Sequence, residues 1–92
     1  MQPFRATLNK GFQLTYKNGW TVSIQWGPTN YSDRRDPNLD MHEPLRAPGG
    51  VWEAKTAEAW SWVGDFTHTD GEPRSNLTPQ EVTDYMVEVE AR

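Results

Sequence analysis

Cysteine is absent from the 92 residues. That excludes disulfides and thiolate metal sites and fits a reducing compartment, since secreted domains this small are more often stapled by disulfides. Histidine is nearly absent: His42 and His68 are the two imidazoles. Asp40 and Glu43 lie near His42, but no second histidine stands at ligand spacing and structural zinc takes four ligands, so neither a metal nor a cofactor is expected. No apolar run approaches membrane-spanning length, and the opening MQPFRATLNK holds no apolar signal core. The expectation is a cytoplasmic protein without membrane association, in which Asn76-Leu77-Thr78 is an accidental match to a glycosylation acceptor. A nucleophile elbow, a Walker phosphate loop and a dinucleotide fingerprint are all missing. Basic residues are outnumbered, nine against thirteen acidic, for a net charge of −4. Most of the acids lie after residue 50, which argues against the nucleic-acid backbone as a general ligand and favours a basic partner surface.

What the chain does have is concentrated in Gly11 to Tyr31, GFQLTYKNGWTVSIQWGPTNY. Asn18-Gly19 between two alternating runs is a strong hairpin signal, because both residues tolerate the positive φ of tight turns. A two-residue loop would set Leu14 opposite Ser23 and Phe12 opposite Gln25, wasting the pattern. A three-residue loop, Lys17-Asn18-Gly19, pairs Tyr16 with Trp20, Leu14 with Val22 and Phe12 with Ile24. All the apolar groups then share one face, and Gln13, Thr15, Thr21, Ser23 and Gln25 form a wet one.

Around the hairpin, Phe4, Ala6 and Leu8 alternate with polar residues in a short first strand, and Pro3 marks it as an edge. Val51 to Trp62 is readable as helix or strand. Strand is chosen, with Trp52, Ala54, Thr56, Trp60 and Trp62 on one face, because a lone hairpin needs further strands. Phe66 to Thr69 is a short return strand, and Asp70-Gly71-Glu72-Pro73 a turn. Thr78 as N-cap, Pro79 at the first helical position and Glu81 completing a capping box open a C-terminal helix, with Leu77 stapled to Val82. Its apolar stripe is Val82, Tyr85, Met86 and Val89, while Gln80, Asp84, Glu88 and Glu90 face away. The fold expected is α+β: one domain over residues 1–92, a two-layer arrangement in which an antiparallel sheet of three to five strands is packed by one amphipathic C-terminal helix.

Residues 27–50 form a loop longer than compact domains usually carry. Its tip, Ser32-Asp33-Arg34-Arg35-Asp36, reads either as a solvated stretch with local ion pairs or as a binding loop. The tryptophans offer stacking platforms for single-stranded nucleic acid. Core packing is preferred for them, because the best-supported aromatics share the face the helix covers and basic residues do not interleave with them.

The block Gly11-Phe12 to Tyr16, Asn18-Gly19-Trp20-Thr21-Val22-Ser23, Gln25-Trp26-Gly27-Pro28 and Asn30-Tyr31 resembles small proteins of unassigned activity encoded in tailed-phage genomes. Lys55-Thr56-Ala57-Glu58 with Trp60 and the helix start Thr78-Pro79-Gln80-Glu81-Val82 extend the resemblance to about half the chain. It implies a phage setting, hence the bacterial host cytoplasm, and brings no catalytic residues. The expected function is binding of a host protein, not catalysis, with inhibition of a host enzyme or defence system in the manner of an anti-CRISPR protein. A single-stranded nucleic-acid module and a virion-associated interaction protein are the alternatives. Two candidate partner surfaces follow. Tyr31, Asp33, Arg34, Arg35 and Asp36 form one, with aromatic and arginine anchors. Asp84, Glu88 and Glu90 form the other, suited to a basic groove.

Overall fold

The computed structural model describes residues 2–7, 11–26 and 53–92. The antiparallel pairing expected around Asn18-Gly19 is the centre of the sheet. Strand β2 (Gly11–Thr15) pairs with β3 (Trp20–Gln25), with Phe12 opposite Ile24 and Leu14 opposite Val22. The loop is the three-residue form: the Tyr16 N–H donates to Trp20 O at 2.8 Å, the Gly19 N–H donates to Tyr16 O at 3.0 Å, and Gly19 sits at φ 89°. A second glycine is fixed by close approach, since a Cβ on Gly11 would lie 2.0 Å from Ile24 O.

Strand β1 (Phe4–Ala6) adds to β2 at the sheet edge, and Pro3 stands just before its first residue, a position where proline is tolerated. On the other side β4 (Ala57–Val63) pairs with β3. It is strand, as expected, but shorter than the predicted Val51 to Trp62: residues 53–56 lie outside any element, and Trp52 lies outside the described residues. Strands β5 (His68–Thr69) and β6 (Arg74–Leu77) both pair with β4, at different points along it. Among the described residues the sheet thus has six strands where three to five were expected. The extra one, β6, escapes a pattern reading because Arg-Ser-Asn-Leu does not alternate and Asn76 takes φ 55°.

Helix α1 (Pro79–Glu90) opens on Thr78 with both halves of the capping box formed. Its Tyr85 and Val89 are buried in one cluster with Val22, Ile24, Ala57 and Ala59. The register corrects one expectation. Ile24 faces Ala59 and Val22 faces Ser61, so Trp60 and Trp62 fall across from Ser23 and Thr21, on the face predicted to be wet. There Thr21, Ser23 and Trp62 are all buried. The physical reason is helix approach: Ala57, Ala59 and Ser61 are small, and small residues beneath Tyr85 and Val89 let the helix sit close. Bulk on β4 therefore goes to the opposite side.

Candidate functional site

Any chemistry would be sought first in the polar groups beneath the helix. Tyr85 has one hydroxyl proton, which it gives to Asp70 Oδ2 at 2.6 Å. Ser61 Oγ, 2.7 Å away, therefore donates to Tyr85 and in turn accepts from Arg92 Nη1 at 3.1 Å. Arg92 Nη2 closes the ring on Asp70 Oδ1 at 3.2 Å. Arg74 adds a second cation, 3.6 Å from Asp70 and stacked over the Tyr85 ring at 4.3 Å. Burial, then the bond to Asp70, pushes the Tyr85 hydroxyl up to about 12. Burial also raises the Asp70 carboxyl, but Tyr85, Arg92 and Arg74 outweigh it and hold the group below its ordinary value. The Tyr85–Asp70 bond therefore joins a neutral phenol to a carboxylate across neutral pH. Each member is spoken for by another, which is the arrangement of a clamp.

On the opposite face the Trp62 and Phe66 rings stack at 4.9 Å, and Trp60 stacks on Phe66 at 5.9 Å. Trp60 Nε1 donates to Gly71 O at 2.8 Å. Phe66 is exposed and holds φ 62°, an uncommon conformation for a bulky residue. Its outer face is the aromatic surface left open there.

The third feature lies at the sheet edge. Helix α1 contacts β3, β4 and β6 but not β1. Beyond it a mostly apolar cleft of about 500 Å³ is lined by Phe4, Ala6, Phe12, Leu14 and Met86, with Arg5 and Gln13 at its border. Phe4 is 78% exposed. The Thr15 N–H donates to Pro3 O at 2.9 Å and the Thr7 N–H donates to Gly11 O at 3.2 Å. Antiparallel pairing alternates, so the N–H and C=O groups of Phe4 and Ala6 point away from β2. Among the described residues no strand lies on that side. Arg5, between them, turns its side chain to the other face, where Nε is buried without a hydrogen-bond partner.

No family model, curated protein or solved structure matches this chain.

The structure separates the residues singled out from sequence. Tyr31, Asp33, Arg34, Arg35 and Asp36 lie outside the described residues, as do His42 and the whole 27–50 loop. Asp84 and Glu88 line a cleft with Glu81 and Arg74 on the β6 side of the helix. Asp84 accepts from Gln80 at 2.8 Å, and Glu88 is engaged by Arg74 at 3.3 Å and Arg92 at 3.4 Å. Glu90 lies on the hairpin side, where its charge, after burial, raises the Tyr16 hydroxyl. Two residues along a helix is about 200° of rotation, so Glu88 and Glu90 do not share a surface. Among the described residues no group of three His, Asp or Glu is placed to hold a metal, and no helix is long and apolar enough to cross a membrane. Sequence reasoning missed the clamp. It read the first strand as an edge but did not single out Phe4 or Arg5 as binding residues.

Proposed function

We propose that this protein acts by binding a protein partner. In the phage setting that the resemblance implies, the partner is a host enzyme or defence complex that binding inhibits, in the bacterial cytoplasm. One observation supports the reading above the rest: a mostly apolar cleft with an exposed phenylalanine beside a strand edge that no described strand covers, a combination suited to another chain and not to a small polar substrate. In this reading α1 is an amphipathic helix forming a second layer over β3, β4 and β6, and the β1–β2 side is left for the partner. No catalysis is assigned, and the clamp of Ser61, Tyr85, Asp70 and Arg92 is structural. Immobilised protein exposed to a bacterial host lysate should retain a specific protein, and Phe4→Ser, which removes the exposed ring without touching the core cluster, should cut retention at least fivefold. Equal retention by folded Phe4→Ser contradicts the reading.

A second reading, single-stranded nucleic-acid binding, draws support from the open face of Phe66 over Trp60 and Trp62. It requires salt-sensitive quenching of tryptophan fluorescence by oligonucleotides, lost in Phe66→Ala.

A further inference from the structure

We infer that β1 is the docking edge for an extended segment of the partner, which adds as a further strand and carries an acidic residue opposite Arg5 flanked by apolar residues. This rests on the protein-binding reading and names the partner's chemistry. Three observations converge on it. The outward N–H and C=O groups of Phe4 and Ala6 supply the ladder. A strand paired to them alternates its side chains, so the residues on either side of the central one point into the cleft of Phe4, Ala6, Phe12, Leu14 and Met86. The central residue points with Arg5. Arg5 then stands in a non-hydrogen-bonded pair, the kind in which opposed side chains come closest.

Charge selects the central residue. Arg5, Lys10 and Lys17 are the charged side chains before Asp33, so the first three strands carry no acid. Arg5 Nε is buried without a hydrogen bond, and a carboxylate arriving opposite the side chain can make a charge-assisted bond with the guanidinium. A second copy of this chain is disfavoured by the same residue. The two-fold register that uses both Phe4 and Ala6 opposes Arg5 to Arg5, and like charges directly across a ladder repel.

The test is selection from a displayed library of random dodecapeptides on the whole protein, with the winners synthesised and their binding measured. The expected consensus is apolar–acidic–apolar. Binding of such a peptide should fall about tenfold in Arg5→Glu, and a selection repeated on that variant should return a basic central residue. Ala6→Pro deletes an N–H that faces away from β2 and pairs with no described strand, and prolines are tolerated on strand edges. It should keep the fold and lose the peptide. Arg5→Gln, which cannot repel a carboxylate, serves where Arg5→Glu fails to fold, and should weaken binding by a smaller factor. Peptides indifferent to Arg5→Glu and Ala6→Pro, or an enriched set without the acid, overturn the inference. So does concentration-dependent dimerisation abolished by Ala6→Pro. If no peptide is enriched while the lysate still yields a partner that depends on Phe4, the edge inference fails and the protein-binding reading stands. If both experiments are blank, both fail.

Discussion

Tyr85 is the residue on which most of the polar order of this molecule turns, since its hydroxyl joins β4, the Asp70 turn and α1. Tyr85→Phe leaves buried Ser61 and half-buried Asp70 each short of a partner and should cost roughly 1–3 kcal/mol in denaturant unfolding. The same residue sets a pH limit. A phenol held at about 12 in the folded chain against 10.0 ordinarily favours the folded state fully below pH 10, and that share is lost as pH rises through 12. Thermal melts should therefore show a drop in stability across that alkaline window, and Tyr85→Phe should flatten it. Asp70 has the opposite sign: its depressed carboxyl favours the fold above its ordinary value of 3.8 and loses that contribution as pH falls below it. None of this ring was legible in the sequence. Its members lie far apart in the chain, and Ser61 and Asp70 carry no periodic signal that distinguishes them from ordinary strand and turn residues.

Among the elements, the hairpin and the helix start were legible because each is written locally: Asn18-Gly19 fixes a turn, and Thr78 to Glu81 a cap. Their docking was not. Asn18 Oδ1 accepts from the Trp20 N–H at 2.9 Å, while Nδ2 donates to the carbonyls of Val89, Glu90 and Arg92 at 2.9, 3.1 and 3.2 Å. The turn residue thus caps the far end of the helix, where carbonyls lack intrahelical donors and the dipole is negative. Asn18→Asp separates the two jobs. It keeps the turn acceptor, removes the donor and adds a negative charge, so it should destabilise at least as much as Asn18→Ala, by on the order of 1–2 kcal/mol in chemical unfolding. If Asn18→Asp matches the parent, the cap has no energetic role. The burial of Thr21 and Ser23 beside Trp62, on the face expected to be wet, escaped a pattern reading for a related reason. Hydrophobicity ranks tryptophan as core, but the room under a closely packed helix belongs to Ala59 and Ser61. Ala59→Leu, with no exposed surface at that site, should cost about 1–3 kcal/mol by overpacking and displace α1.

Among the described residues the charge is divided along the chain. Residues 2–7 and 11–26 carry Arg5 and Lys17 and no acid, and the part built from β4, β6 and α1 holds acids that are in part spent internally, as the pairing of Glu88 with Arg74 and Arg92 illustrates. Asp84→Lys should alter the association rate with a basic partner and its salt dependence while leaving stability within about 0.5 kcal/mol. Glu88→Lys should also lower stability by setting a third cation beside two arginines. The edge that the binding account depends on is open or it is not, and residue-resolved amide hydrogen exchange on the free protein decides this most directly. The account predicts alternation along β1: slow exchange at Arg5 and Thr7, whose N–H groups face β2, and fast exchange at Phe4 and Ala6, becoming slow once the partner is bound. Protection of Phe4 and Ala6 in the free protein would contradict it, because the edge would then already be covered.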